Sequence, residues 1–252
     1  MKLFLSALPL MLLLSCSSGS DEIMQVIDQP QQKKIIEVKR DNQLLYKFTY
    51  NSAGDISEIT NYSSNGAVGS TTKVEYTNGL QTKRSMYSTN NTLLSYHVFT
   101  YQGKLITKRA IYTVNAGLET LNNSTEYTND GTKSSSNLIG VKYYDGAGNL
   151  TQKSDIVYTD GNGSSVSDIY NSTGTKTGIS TLTKDNAHAW DRVLDPFVYQ
   201  HETNAKSELT KNLDGTTTGY SVEYTYDSAS YPLTAKYVFT NGVVYNYVFT
   251  WQ

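Results

Sequence analysis

The sequence predicts an all-β fold: an antiparallel meander of about 12–15 short strands, curled into a barrel-like or strongly twisted sheet. Three observations lead to this prediction. The chain has 21 tyrosines among its 252 residues, and aromatic and β-branched residues favour strands. Short segments of alternating polar and apolar residues recur along it. Asn, Asp, Ser and Gly, which favour turns, separate these segments at nearly every opportunity.

Residues 46–50 illustrate the strand pattern. Tyr46, Phe48 and Tyr50 fall at every second position, so they share one face of a strand, and the polar residues between them share the other. The four residues that follow end in Gly54, as is typical of a tight hairpin. Because the links are short, neighbouring strands must run antiparallel. A long sheet with one apolar face must curl or fold over to bury that face.

Glycines mark an internal repetition. Gly54, Gly79 and Gly103 lie 25 and 24 residues apart, which corresponds to two strands and two turns in each repeating unit. The strand and turn pattern is therefore regular over at least the first half of the domain.

One segment, residues 184–201, interrupts the pattern. Asp185 and Asn186 would cap a short helix over residues 187–194, which Pro196 would end. A link of this length usually covers an exposed edge or fills an open end of a sheet. We therefore predict one short helix-containing loop, and it carries Trp190.

The N-terminus carries a processing signal. Lys2 precedes an apolar run over residues 3–14, which is shorter than the roughly 20 apolar residues of a membrane-spanning helix. The run leads to Ser15 and to Cys16, the only cysteine. A basic start, an apolar run, small residues and a cysteine are typical of a bacterial lipoprotein signal. An ordinary secretory signal with an incidental cysteine is the alternative.

This signal sets the domain boundaries and the location. We predict a signal peptide at residues 1–15, lipid attachment at Cys16, a flexible polar tether at 16–33 and a single all-β domain at 34–252. With one cysteine, no internal disulfide can form. Asp21 and Glu22 resemble the export signal of surface lipoproteins of Bacteroidetes. The predicted location is thus the outer membrane, with the cell surface favoured over the periplasmic face.

Residues 144–150 resemble the tyrosine–aspartate repeats of bacterial cell-surface and toxin-shell proteins. The whole mature chain resembles the uncharacterised hairpin-rich lipoproteins of Bacteroidetes, and the likeness is best at residues 195–197, 211–213 and 224–235. In that group a glycine precedes the Tyr-Pro pair before the last hairpin, where this chain has Ser230. The resemblance implies an all-β, porin-like or curved-sheet fold, and it brings no activity with it.

No catalytic constellation, metal site or cofactor is predicted. His97, His188 and His201 are scattered. His188 and His201 share the long link with Asp191 and Asp195, and together these four residues could serve as metal ligands. The favoured interpretation is that the histidines are surface residues. Two glycine-rich links, residues 145–149 and 160–163, lack the alternating oxygen ligands of a calcium loop. Hairpin turns explain them better.

Three residues are candidates for other roles. Trp190 and Trp251 are candidate ligand-binding residues that could stack on a sugar, the alternative being that both are packed in the core or anchor a loop. Ser228, in Asp227-Ser228-Ala229, matches the short acceptor pattern for O-glycosylation in Bacteroidetes. It lies in a predicted turn.

The predicted function is that of a lipid-anchored cell-envelope protein whose β-domain is non-enzymatic and serves in binding or structure. Its partners would be the membrane, through the N-terminal lipid, and a glycan or another envelope protein. A net charge of −2 gives no general attraction for nucleic acid. One alternative is a polysaccharide-acting hydrolase with its site near Trp190. Another is a membrane-spanning β-barrel, which would turn its apolar face to lipid; the short strands and recurring Lys and Glu oppose it.

Overall fold

The computed structural model describes residues 33–130, 138–161, 163–191, 194 and 203–252. Over these residues, 16 strands form an antiparallel meander that closes into a barrel, because β16 pairs with β1. The predicted fold class is confirmed. Of the two predicted forms, a barrel and a strongly twisted sheet, the structure has the closed barrel. Cys16, His201 and Asp195 lie outside the described residues, as does nearly all of the predicted tether.

The strands are 6 to 13 residues long, and each pairs with its neighbours in sequence. Their bounds are β1 Ile35–Arg40, β2 Gln43–Tyr50, β3 Ile56–Tyr62, β4 Val68–Thr77, β5 Leu80–Ser88, β6 Leu93–Gln102, β7 Leu105–Asn115, β8 Leu118–Asn129, β9 Leu138–Asp145, β10 Leu150–Tyr158, β11 Ser165–Asn171, β12 Lys176–His188, β13 Thr203–Asn212, β14 Thr217–Tyr226, β15 Pro232–Phe239 and β16 Val244–Trp251.

The links between strands alternate between the two ends of the barrel. At one end, here called the short-turn end, no link exceeds five residues. The opposite, long-link end has the β8–β9, β10–β11 and β12–β13 links, and also the start of β1 and the end of β16. Gly54, Gly79 and Gly103 all lie in turns at the long-link end. Each spacing, of 25 and 24 residues, therefore covers two strands and two turns, as predicted.

Asn78 and Gly79 show how the turn chemistry works. They form the two-residue link between β4 and β5, with φ of 53° and 74°. A two-residue hairpin with positive φ at both positions matches the twist of the flanking strands. Glycine adopts such a φ without steric cost and asparagine tolerates it.

Although Val157, Ile179 and Leu209 are exposed on the outer face, the inner face of the barrel carries most of the buried aromatic and aliphatic side chains. Its main hydrophobic cluster lies on β1–β3 and β14–β16, with Trp190 from the β12–β13 link packed against it. Fully buried members include Ile35, Val38 and Ala235. Tyr46, Phe48 and Tyr50, predicted to share a face, all belong to this cluster or pack on it.

The outer face carries lysines and acidic side chains that lie close to one another. Glu37 approaches Lys39 at 3.1 Å, and Lys108 lies 3.6 Å from Glu126. The Lys83 ammonium lies 4.7 Å from the centre of the Tyr96 ring. Across the ladders, acids and lysines lie directly opposite one another at Glu37–Lys47, Glu58–Lys73, Glu75–Lys83, Lys108–Glu126, Glu126–Lys142 and Glu223–Lys236.

The predicted helix over residues 187–194 is wrong at its start, because β12 continues through His188. The Asp185 carboxylate does accept a hydrogen bond from the amide of Ala187, at 2.9 Å, as a helix cap would. It also accepts one from the Asn204 amide of β13 at 3.0 Å and one from the Tyr226 hydroxyl. Asp185 therefore joins strands at the register shift between Lys184 and His188. Among the described residues no helix has the length and apolar character needed to cross a bilayer.

Candidate ligand-binding cavity

Trp190 is a buried anchor, with 8% of its surface exposed. Its ring packs on Phe249 and Tyr247 with centroid distances of 5.0 and 5.9 Å, and its Nε1 donates a hydrogen bond to the Tyr237 hydroxyl at 3.3 Å. In this structure neither ring face is open to a sugar. The geometry is that of a packed loop anchor, the alternative that the sequence left open.

Asn204 holds Trp190 in place from the first residues of β13. This asparagine is 1% exposed. Its Oδ1 accepts a hydrogen bond from the Trp190 amide at 3.1 Å, and its Nδ2 donates to the His188 carbonyl at 2.8 Å. The link at the long-link end is thus fixed to the barrel wall on both sides of Ala189.

The other candidate residues lie apart from Trp190. Trp251 is half-buried near the long-link end, where its Nε1 donates to the Pro232 carbonyl at 2.7 Å and its ring packs on Tyr231 at 4.9 Å. Ser228 is exposed in the β14–β15 turn, which the Asp227 carboxylate stabilises by accepting from the Ala229 and Tyr231 amides, each at 2.9 Å. The stacking and glycosylation roles stay predictions.

A cavity of about 460 Å³ lies on the inner face of β9–β13. It extends from the long-link end, where it meets Leu138, Tyr158 and Lys184, to the middle of the barrel. This size falls within the usual range of roughly 300–1,000 Å³ for small-molecule sites. Its remaining lining residues are Val141, Tyr143, Gln152, Ser154, Ile156, Gly163, Ser165, Ser167, Ile169, Ser180, Leu182, Glu208 and Thr210.

Hydroxyl groups form an ordered ladder on one wall of this cavity. Ser167 lies directly opposite Ser180, and Ser180 lies directly opposite Thr210, so the three belong to one level of β11, β12 and β13. Neighbouring strands are spaced about 4.8 Å apart, so the backbones that carry the three hydroxyls follow one another at that step. None of the three makes a side-chain hydrogen bond within the described chain, and they line open space.

Two tyrosines, one lysine and one glutamate also line the cavity. Tyr143 is 37% exposed toward the lumen. Burial raises the pKa of Tyr158 to about 12. Glu208 accepts a hydrogen bond from Tyr220 at 3.3 Å. Burial lowers the pKa of Lys184, while Asp191 and Asp185 attract its ammonium group.

Positive charges also face the lumen on β5 and β7. His97 lies opposite Arg84, and Arg109 lies on the next strand. Burial, with the charges of Arg109 and Arg84, lowers the pKa of His97 to about 4. His97 is therefore neutral at physiological pH, and it is half-buried inside the barrel instead of at the surface, where the sequence suggested it would lie.

The described residues contain no cluster of three or more His, Cys, Asp or Glu side chains that could hold a metal ion. Among the described residues that line the cavity, Glu208 is the only acidic one. Two carboxylates flanking one bond are the usual requirement for glycoside hydrolysis, and this cavity offers a single one.

Sequence reasoning did not identify the cavity residues. Ser167, Ser180 and Thr210 lie on strands whose alternation is weak, and single serines and threonines carry no motif. A signal was nevertheless present, since residues 164–183 contain ten serines and threonines and no aromatic residue other than Tyr170. That stretch leaves room where other strands place rings.

No protein-family model matches the chain, and no curated protein matches it in sequence. Its structure is similar to that of a porin-like protein from Bacteroides uniformis ATCC 8492, with a TM-score of 0.57 and 14% identity over 87% of this chain and 96% of that one. A porin-like protein from Bacteroides vulgatus ATCC 8482 gives a TM-score of 0.52 and 12% identity over 86% and 97%. At these identities the likeness is one of fold alone. The chain shares an antiparallel barrel fold with porin-like proteins of Bacteroides.

Proposed function

We propose that this protein is a lipid-anchored, non-enzymatic protein of the outer membrane, whose barrel stands in water and binds a ligand inside its lumen. Cys16 would carry the lipid, and residues 16–33 would connect it to the barrel at the long-link end. Asp21 and Glu22 favour export to the cell surface. The observation that carries the proposal is the charged outer face of the barrel.

The outer face of this barrel carries charges that a membrane-spanning barrel does not place there. Such barrels present an apolar band about 25 Å tall to lipid and keep polar side chains inside. Here the main hydrophobic cluster lies inside, and lysines and glutamates such as Lys47, Lys142 and Glu223 lie outside in the middle of strands, among exposed aliphatic residues such as Val157. Each lysine placed at the bilayer midplane would cost about 2–4 kcal/mol. A barrel that does not contact lipid needs another attachment, and an acylated Cys16 supplies it.

The lumen supports binding as the role of the domain. The cavity combines unbonded hydroxyls, exposed tyrosine and a few charges, which is the composition of a site that orients a small polar ligand. A polysaccharide hydrolase is the rival proposal, and it would need a second carboxylate beside Glu208 in the bound state.

Replacing Cys16 with alanine tests the anchor. The variant should lose metabolic labelling by fatty acid and leave the membrane fraction, and it should stay dispersed in buffer without detergent because its outer face is charged. Cys16 is the only cysteine, so Ser15→Ala in the same signal serves as a control that keeps the acylated residue. If Cys16→Ala remains in the membrane fraction, the membrane-spanning alternative replaces the proposal.

A further inference from the structure

We propose that the β9–β13 cavity binds a short, uncharged oligosaccharide whose hydroxyl groups bond to the ladder of Ser167, Ser180 and Thr210. This deepens the proposed function, since it names the class of ligand for the lumen. It does not depend on how the protein is attached to the membrane.

The ladder requires a ligand with many hydrogen-bonding groups. Each serine or threonine hydroxyl is one donor and two acceptors, and the three ladder hydroxyls have no partner in the described chain. Gln152 adds an amide with no side-chain hydrogen bond of its own within the described residues, and it faces the same space. An apolar ligand such as an acyl chain would expel water from these groups and leave them unpaired, which costs roughly 1–3 kcal/mol for each group.

The regular spacing favours a chain of similar units over a single compact polar molecule. Along the ladder, one hydroxyl-bearing residue stands on each of three strands spaced about 4.8 Å apart. Sugar rings carry hydroxyl or ether oxygens on nearly every carbon, so an oligosaccharide lying across β11–β13 presents a partner at each step. The cavity volume of about 460 Å³ accommodates a short chain.

Tyr143 and Tyr158 are suited to contact the apolar face of a sugar ring. A pyranose ring has an apolar C–H face, and an aromatic ring with a polar tip packs against such a face while its hydroxyl stays hydrogen-bonded. Tyr143 is exposed toward the lumen, and it lies opposite Gln152 in the β9–β10 ladder. An aromatic platform and an amide donor thus lie side by side at the inner end of the cavity.

The charges of the cavity favour an uncharged ligand. Lys184 and Glu208 contribute one charge of each sign. Asp185 and Asp191 already attract the Lys184 ammonium, and Tyr220 already donates to Glu208. No net positive charge therefore remains among the described lining residues to compensate the carboxylates of an acidic sugar, and the positive charges of Arg84 and Arg109 lie on β5 and β7, outside the lining.

A cysteine introduced at Ser180 provides a direct test in the full-length, lipidated protein. Cys16 is the only native cysteine, so a maleimide should react chiefly at the new thiol. Maltotriose, cellotriose, mannotriose, trigalacturonic acid and oleate are each added before labelling. We expect at least one of the three uncharged trisaccharides to slow the labelling of Ser180→Cys about tenfold at ten times its Kd.

Thr181→Cys is the matched control, because Thr181 is exposed on the outer face of the same strand and its labelling should not change. The proposal is overturned if none of the uncharged trisaccharides protects Ser180→Cys, if trigalacturonic acid or oleate protects it better, or if Thr181→Cys is protected equally. Labelling of the wild-type protein reports separately on Cys16: a reactive Cys16 would contradict the lipid anchor and leave the protection result intact.

Calorimetry with the protecting trisaccharide then tests the ladder itself. Thr210→Val and Ser167→Ala each remove one hydroxyl with little change of shape, and each should weaken binding roughly fivefold. Thr181→Val should leave the Kd unchanged. Equal affinities for all of these variants would contradict the role of the ladder, provided that their melting temperatures match that of the wild type.

Discussion

Asn204 is the single residue on which the position of Trp190 most depends. Its side chain satisfies the Trp190 amide and the His188 carbonyl, and it is almost completely buried. Sequence reasoning identified Trp190 and overlooked Asn204. An asparagine at the start of a strand looks like a turn residue until the fold shows which backbone groups it reaches.

Asn204→Ala should lower the free energy of unfolding by about 2–4 kcal/mol, because two buried backbone groups lose their partners. Urea denaturation followed by tryptophan fluorescence measures the change. Asn246→Ala is the control: Asn246 is exposed and bonds to Asp41 at 3.2 Å, so it should cost less than about 0.5 kcal/mol. Equal losses for the two variants would contradict the anchoring role.

His97 makes stability depend on pH. In the folded barrel its pKa is lowered to about 4, whereas in the unfolded chain it is about 6.5. As the pH falls below about 6.5, the unfolded chain takes up a proton that the folded chain does not, so folding loses up to about 3 kcal/mol by pH 4. Above pH 7 both states are neutral and His97 has no effect.

His97→Gln should remove this loss. Urea midpoints at pH 7 and pH 4.5 are compared for the wild type and the variant. Carboxylates titrate in both proteins, so their contribution to the loss of stability cancels when the two losses are subtracted. The wild type should lose more stability on acidification than the variant does. A pH dependence that is the same in both proteins would show that His97 takes up its proton equally in the folded and unfolded chains.

At the scale of elements, the β13–β14 ladder depends on close backbone approach at Gly219. This residue lies opposite Leu209, with φ of 141°, and a Cβ built there would lie 1.9 Å from the Glu208 carbonyl oxygen. Gly140, also inside a strand, differs, since its nearest neighbour would be the Thr128 Cβ at 3.5 Å, an ordinary contact.

Gly219→Ala should therefore destabilise the barrel by about 3 kcal/mol or more, since either strand must shift. Gly140→Ala should change stability by less than about 1 kcal/mol. Thermal unfolding of both variants, followed by circular dichroism, gives the comparison. Comparable melting temperatures for the two variants would contradict the close approach at Gly219.

The β12–β13 link is where the structure differs from the helix that the local sequence predicts. Asp185 and Asn186 before an alanine-containing segment are a reasonable helix start by local rules. The structure instead extends β12, because Asp185 bonds to Asn204 and Tyr226 on neighbouring strands. Partners 19 and 41 residues away determine the conformation, and a local window does not include them.

At the scale of the whole molecule, the outer face determines what surrounds the barrel. In native membranes, a water-soluble amine reagent should modify the mid-strand lysines Lys47, Lys142 and Lys236 rapidly, because each is exposed on the outer face. Lys184, whose ammonium group is partly buried in the lumen, should react far more slowly. Mass spectrometry of the peptides measures the rates. If the three outer lysines react only after detergent is added, the outer face contacts lipid.

The sequence by itself determined the all-β class, the hairpin turns and the alternation of faces, because these depend on neighbours within a few residues. It also indicated the lipoprotein signal, whose pattern is contiguous. Closure of the barrel, the cavity and the Asn204 network were decided only by tertiary structure. Pairing of β1 with β16, and the meeting of Ser167, Ser180 and Thr210 at one level, depend on register between strands far apart in the chain. Periodicity shows which residues share a face, and only the closed sheet shows which of them meet across it.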